Sequence, residues 1–115
     1  MKKIVWFSRH EALPSQRLEL GRKFGSYELI VDLNPFAGAE DIAERFRAVG
    51  GHEMVVVAPV PVMAELIKLG HRPLRAVMEE VSPSDPRCEV VAAGRGYRFV
   101  EFQRVLELRL ITEPL

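Results

Sequence analysis

The order of hydrophobic and polar positions predicts alternating strands and helices over the first two thirds of the chain. Short apolar runs at 3–8 and 54–58 are typical of strands that are buried on both faces, as in a parallel sheet. The run at 27–33 predicts another strand. Asn34-Pro35 ends it, because the residue that precedes proline resists helical dihedral angles. A fourth run, 74–81, has the same character and predicts a fourth strand.

Amphipathic segments lie between these runs and predict three helices. Pro14 suits the first turn of the first helix, and Gly25 follows its last apolar residue, where glycine commonly ends a helix. Apolar residues recur at helical spacing in each segment, at Leu20 and Phe24, at Ile42, Phe46 and Val49, and from Val62 to Leu69. The predicted order is therefore β-α-β-α-β-α-β.

The pattern changes after residue 81. A turn-rich segment at 82–87 is followed by a predicted strand at 89–93, a turn at 94–96 and a long alternating stretch at 97–111. Alternation with one polar face is typical of an antiparallel hairpin rather than of a buried parallel strand. The apolar face of that stretch is predicted to carry Val100, Phe102, Leu106, Leu108 and Leu110.

These elements predict an α/β fold in a single domain, 1–115. Its alternating core covers 1–81 and its β-hairpin extension covers 88–112. Right-handed crossovers place helices on both faces of a parallel sheet, so we expect a small Rossmann-like three-layer domain with a mainly parallel sheet and a C-terminal antiparallel β-hairpin. The strand order stays open between 3-2-1-4 and 2-1-3-4, and it decides where a ligand would bind.

Composition narrows the class of protein. Sixteen basic residues balance sixteen acidic ones, which argues against a protein that coats nucleic acid by bulk charge. Cys88 is the only cysteine, so an internal disulfide is excluded and a reducing compartment is indicated. No apolar run approaches the ~20 residues of a membrane span, and the N-terminus lacks the features of a signal peptide. We therefore expect a cytoplasmic protein with no membrane partner.

Candidate chemistry concentrates in the loop after the first strand. Ser8, Arg9, His10 and Glu11 lead from that strand to the start of a helix. Ligands of open α/β sheets bind beyond the carboxyl ends of the strands. Arginine binds phosphate through two parallel hydrogen bonds, and imidazole can donate, accept or transfer a proton. The same residues are also compatible with a solvated turn that Ser8 caps.

Two further loops are expected at the same edge of the sheet. The amide of Asn34 can read a base edge or a ribose, although a plain turn residue before proline is its more common role. Pro59 and Pro61 donate no N–H, so their loop predicts an apolar wall rather than a phosphate cradle. The three histidines and the cysteine show no metal-ligand spacing, so we expect neither a metal nor a cofactor.

A family resemblance starts from the same loop. The opening strand ends in VWFSRH and is followed by EALPSQRLELGRKFG; the most specific part is Phe7-Ser8-Arg9-His10. In this respect the chain resembles the small stand-alone CRISPR-associated Rossmann-fold (CARF) proteins. The segments MVVVAPVPVMAELIKLGHRPLRAVM and YRFVEFQRVLELRLITEPL are similar to uncharacterised small proteins of phages and prophages.

The CARF resemblance implies a homodimer that binds a cyclic oligoadenylate at its two-fold axis, in antiviral defence. Some CARF proteins are ring nucleases, in which a ribose 2′-OH attacks the adjacent phosphate without metal. Ser8 would then contact a phosphate or ribose, Arg9 would neutralise phosphate charge, and His10 would position or deprotonate the hydroxyl. The resemblance thus makes Arg9 and His10 candidate catalytic residues. The candidate ligand-binding residues are Ser8, Arg9, His10, Glu11 and Asn34.

Two other functions compete with this one. A small defence- or phage-associated protein without enzymatic activity can act through the hairpin, because a half-apolar edge strand can pair with a second copy or with a partner. A nucleic-acid-binding module is the third. It is disfavoured because the basic residues of the last strand point to both of its faces, Arg98 and Arg104 to one, and Arg95 and Arg109 to the other.

Overall fold

The chain folds into a mixed α/β structure with six strands and three helices. A computed structural model describes all residues, 1–115. The elements in chain order are β1 (Lys2–Phe7), α1 (Pro14–Phe24), β2 (Tyr27–Asp32), α2 (Ala39–Ala48), β3 (Glu53–Val56), α3 (Val60–Lys68), β4 (Leu74–Val81), β5 (Val90–Ala92) and β6 (Arg95–Arg104). None of the three helices has the length and apolar character needed to cross a membrane.

All six strands belong to one sheet in the order β2-β1-β3-β4-β6-β5. β2, β1, β3 and β4 are parallel, whereas β6 pairs antiparallel with both β4 and β5, as the alternating pattern predicted. The order of the first four strands is therefore 2-1-3-4. β3 and β4 share a single register pair, Val55 with Leu74. Most of β4 consequently extends beyond the end of β3. Together with β6 and β5 it forms what we call the antiparallel wall.

Two hydrophobic clusters lie on opposite faces of β1, because successive side chains of a strand alternate between its faces. α2 and α3 pack over Val5 and Phe7 on one face, and α1 packs over Ile4 and Trp6 on the other. The first cluster has eight buried residues, namely Val5, Phe7, Ala39, Ile42, Met54, Val56, Met63 and Leu66. Helices therefore cover β1 on both sides.

The last strand is shorter than its alternating pattern predicts. β6 ends at Arg104 rather than at residue 111. The reason is its partner: β4 begins at Leu74, which lies opposite Arg104, so no strand lies beside the residues after Arg104. The N–H of Val105 donates to the carbonyl oxygen of Pro73, 2.9 Å away, and from there the chain has no regular secondary structure.

A β-bulge shifts the face of the last strand that is buried. Val77 lies opposite Glu101 and Met78 lies opposite Phe99, which leaves Val100 as the extra residue. The rings of Phe99 and Phe102 consequently lie together, with centroids 4.8 Å apart. The prediction of an apolar face that begins with Val100 is wrong, because the bulge turns this side chain outward and Leu106, Leu108 and Leu110 are exposed as well.

Candidate functional site

The three loops that the sequence singled out meet in one cleft. β1 lies between β2 and β3, and its following helix leaves towards one face of the sheet while α3 leaves towards the other. This divergence is the point where α/β sheets bind ligands. The cleft, which we call the first cleft, has a volume of about 610 Å³. It is lined by residues 8–10, 34–38, 57–59 and Val62.

The loop after β1 is held by hydrogen bonds of its own backbone. The indole N–H of Trp6 donates to the carbonyl oxygen of His10 at 2.7 Å, and the N–H of His10 donates to Oγ of Ser8 at 3.2 Å. Ser8 is buried, whereas Arg9 and His10 are exposed. The side chains of Arg9 and His10 form no hydrogen bond or ion pair within the chain. The fold therefore fixes this loop without using either side chain.

The loop after β2 is held by charged groups. Oδ1 of Asp32 accepts hydrogen bonds from the N–H and the side-chain amide of Asn34, at 3.0 and 3.1 Å. Arg45 donates to both carboxylate oxygens of Asp41. The N–H of Ala37 is the strongest of the groups that lower the pKa of Asp41; Arg45 adds to it and partial burial opposes it. Because only one of the two N–H donors of its amide nitrogen is engaged, Asn34 offers a ligand its carbonyl oxygen and one remaining N–H.

The third loop gives the first cleft an apolar side. Ala58, Pro59 and Val62 line it, together with the exposed Val57. The carbonyl oxygen of Pro59 accepts the N–H groups of Val62 and Met63, which begins α3. As the two prolines predicted, the loop supplies van der Waals contact and few donors.

Glu11 lies outside the first cleft. It lines a second cleft of about 540 Å³ on the α1 side of the same loop, which shares Ser8, His10 and Val57 with the first. Sequence reasoning missed Gln16 there, a buried amide whose Oε1 accepts the N–H of Leu13 at 2.8 Å. The residue before the helix is a leucine instead of a serine or threonine, so the usual capping signal is absent.

The remaining histidines have structural roles. Nδ1 of His52 accepts the N–H of Lys3 at 2.8 Å. His71 packs edge-on against Phe46, with ring centroids 5.6 Å apart. Burial, and then the charge of Arg47, lower the pKa of His71. No three His, Cys, Asp or Glu side chains lie close enough together to hold a metal ion.

The arginines that a nucleic-acid interface would use are engaged with carboxylates. Their ion pairs are Arg95 with Glu80, Arg98 with Glu79, Arg104 with Glu53 and Arg109 with Glu107. Arg9 differs from all four because no carboxylate neutralises it. It is thus the cation of the first cleft with charge to offer to an anion.

Comparisons with known proteins do not identify a relative of this chain. No protein-family model matches the chain, and neither a curated protein nor a solved structure gives a significant match.

Proposed function

We propose that this protein binds a cyclic oligoadenylate-type nucleotide in the first cleft. The observation that carries the proposal is the position of Arg9 and His10, two polar side chains that the fold does not use, where the loops after β1, β2 and β3 meet. The strand order 2-1-3-4 and helices on both faces of β1 support a Rossmann-like domain with its ligand at this edge.

The polar groups of the first cleft match the parts of such a ligand. The guanidinium of Arg9 donates two parallel hydrogen bonds to a phosphate. Oγ of Ser8 already accepts the N–H of His10, which leaves its hydroxyl proton for a phosphate or ribose oxygen. Oδ1 of Asn34 is positioned to accept a ribose hydroxyl.

His10 extends the proposal from binding to cleavage. Its imidazole is the only one in the first cleft, and it makes no hydrogen bond within the chain. As general base it would take the proton of a ribose 2′-OH while that oxygen attacks the adjacent phosphorus. The bond between phosphorus and the 5′-oxygen breaks, and this oxygen takes a proton from water, which leaves a 2′,3′-cyclic phosphate and a 5′-hydroxyl.

A homodimer completes the proposed site. Each chain offers one unpaired arginine to the first cleft, whereas a cyclic oligonucleotide carries several phosphates around a symmetric ring. A two-fold axis beside the cleft would present two copies of Arg9 and His10 to one ring, with no additional residues. We also propose the cytoplasm as its compartment, because Cys88 is a single free thiol.

The test is a binding and cleavage assay with a panel of cyclic oligoadenylates in the presence of a chelator. We expect at least one ring to raise the melting temperature of the protein. Arg9→Ala should weaken binding roughly tenfold, the effect of one lost charged hydrogen-bonding group. The matched control is Arg17→Ala, which removes the same charge from an exposed site on α1 outside both clefts.

The outcomes separate binding, cleavage and neither. Linear products that disappear in His10→Ala, while the thermal shift remains, would establish a ring nuclease. A thermal shift without products would leave a sensor that binds the ring intact. If no ring shifts the wild type, or if Arg17→Ala weakens binding as much as Arg9→Ala, the proposal is wrong.

A second candidate function, association with a second copy or a partner protein, is supported by the exposed apolar residues of the C-terminal region. Val91 of β5 is 55% exposed, and Leu110 and Ile111 are 91% and 88% exposed. Such side chains favour association with a second copy or a partner protein. Light scattering of the wild type and of Ile111→Glu tests this: a dimer that Ile111→Glu dissociates, in a protein that binds no ring, would favour the interaction function.

A further inference from the structure

The second cleft is an apolar counterpart of the first. Its volume of about 540 Å³ lies within the ~300–1,000 Å³ of small-molecule pockets. The antiparallel wall forms one side through Met78, Val90, Val91, Ala92 and Tyr97, and the opposite side comes from α1 and the loop after β1. Only the loop with Ser8 and His10 separates it from the first cleft, so one nucleotide can contact both.

A bond network between α1 and the wall fixes the shape of the second cleft. The hydroxyl of Ser15, in the first turn of α1, donates to one carboxylate oxygen of Glu89. The other oxygen accepts the N–H of Phe99 at 2.7 Å. The same carboxylate therefore connects helix and wall across the second cleft.

Gln16 is a buried donor without an adequate acceptor. The residue is 4% exposed, and its Oε1 is engaged by Leu13. Nε2 has one partner, Sδ of Met78 at 3.7 Å, and a thioether is a weak acceptor. A buried N–H that lacks a good acceptor costs free energy, which a ligand acceptor in the second cleft would recover.

The second cleft also contains a phenol and a carboxylate that the fold does not use. The hydroxyl of Tyr97 and the carboxylate of Glu11 form no hydrogen bond within the chain. Apolar walls with a few polar groups of both kinds, a donor at Gln16 and an acceptor at Glu11, match a flat heterocycle with ring nitrogens and an exocyclic amino group.

We propose that the second cleft holds the adenine base of the nucleotide whose phosphate binds at Arg9. The inference rests on the proposed function and deepens it, since it assigns the discrimination between bases to Glu11, Gln16 and Tyr97. The nucleotide lies across the loop after β1, with its phosphate on the α2 side, its base on the α1 side and its ribose near Ser8 and His10.

The experiment uses the full chain and two kinds of probe. The first is a cyclic oligoadenylate compared with the cyclic oligouridylate of the same ring size, which carries the same charge. The second is adenosine, which has no phosphate, observed by saturation-transfer NMR. Val91→Trp fills the second cleft from an exposed position, and Val100→Trp is its control, because Val100 is exposed and lines neither cleft.

We expect adenosine to receive saturation at its ring protons from the wild type and from Arg9→Ala, and to lose most of it with Val91→Trp. The affinity for the oligoadenylate should fall roughly tenfold in Val91→Trp and stay within about twofold in Val100→Trp. Tyr97→Phe, which removes a hydroxyl with no partner in the chain, should lower affinity roughly threefold without changing stability. Oligouridylate should bind more weakly than oligoadenylate.

Failure of the inference and failure of the proposed function give different results. If the ring binds and Arg9→Ala weakens it, but Val91→Trp behaves like Val100→Trp and both rings bind equally, the base subsite is wrong and the function stands. If no ring binds and adenosine receives no saturation, both are wrong. Adenosine binding that Val91→Trp removes, in a protein that binds no ring, would support the base subsite and overturn the cyclic ligand.

Discussion

The parallel strands β2, β1 and β3 and the antiparallel wall belong to one sheet but are packed differently. The buried apolar side chains come from β1, β3 and the three helices, and after Pro73 only Leu74 and Phe99 join them. The wall has the longest strand ladder of the sheet, between β4 and β6, yet many of its apolar residues are exposed. Backbone pairing holds the wall, whereas side-chain burial holds β1 and β3, and β2 is at most half-buried.

The difference originates in the element that succeeds each strand along the chain. Each of the first three strands is succeeded by a helix that covers a face of the sheet, whereas β4 leads into a turn and a hairpin that pairs at its edge. Pairing at the edge satisfies backbone groups, but apart from the part that α1 contacts it leaves the faces of the wall without a helix to cover them. The second cleft lies at the boundary between these regions, whereas the first cleft is lined only by loops of the parallel side and by α3.

The largest expected effect is a matched pair of leucine truncations. Leu66 on α3 is fully buried, and Leu106 after β6 is 65% exposed. Leu66→Ala should lower the free energy of unfolding by about 2–5 kcal/mol, because it leaves a cavity in the core. Leu106→Ala should change it by less than about 0.5 kcal/mol. Urea unfolding measures both, and equal losses would show that the two regions are packed alike.

Two glycine substitutions should change stability in opposite directions. A Cβ at Gly96 in the wall would lie 2.7 Å from the carbonyl oxygen of Val81, so Gly96→Ala should cost about 1–3 kcal/mol. In helix α1 the nearest atom to a Cβ at Gly21 belongs to Tyr27, 3.7 Å away, so Gly21→Ala should add about 0.5–1 kcal/mol. Thermal unfolding distinguishes them, and a stabilising Gly96→Ala would contradict the close packing of the hairpin.

An ion pair across the two regions should have a smaller effect. Arg104 of β6 donates to Glu53 of β3, and this carboxylate raises the pKa of Arg104. Glu53→Gln should lower stability by about 1 kcal/mol, and the effect should shrink in high salt. The control is Glu107→Gln, which removes the ion pair with the largely exposed Arg109. The loss of this pair should have no measurable effect on stability. Equal effects would mean that the pair does not connect the regions.

The smallest expected effect is a pH dependence from the parallel side. Since burial lowers the pKa of His71 below 6.5, the unfolded chain binds its proton first as the solution is acidified. The folded protein therefore loses stability as the pH falls below 6.5, down to the lower pKa of the folded state. His71→Asn should reduce the fall in melting temperature over this range. If the melting temperature of His71→Asn falls as much as that of the wild type, other titratable groups cause the pH dependence.

The parallel strands could be predicted from the sequence because local signals and tertiary structure agree there. The run at 74–81 became β4 with those bounds, and Pro14 begins α1 as its fixed dihedral angle requires. The hairpin was predicted as well, but the end of β6 was not. Alternation shows that residues 105–111 can form a strand, whereas the start of β4 at Leu74 decides whether they have a partner.

The candidate site was predicted in outline for a similar reason. A general rule for α/β sheets placed Ser8, Arg9, His10 and Asn34 at one edge, and the structure brings them into one cleft. Long-range contacts decided the rest. The amide of Asn34 is tied to a carboxylate, and Glu11 lies on the α1 side of the loop. Gln16 gave no signal, because its burial depends on strands that come much later in the chain.

The hydrogen bond of Trp6 makes the intrinsic fluorescence of the protein a reporter of the loop after β1. Trp6 is the only tryptophan, it is 3% exposed, and its indole N–H is bound to the carbonyl oxygen of His10. Its emission therefore comes from one environment, at the loop that separates the two clefts. A ligand that moves this loop would alter the wavelength or intensity of the signal, so occupancy can be followed by fluorescence in the unlabelled native chain.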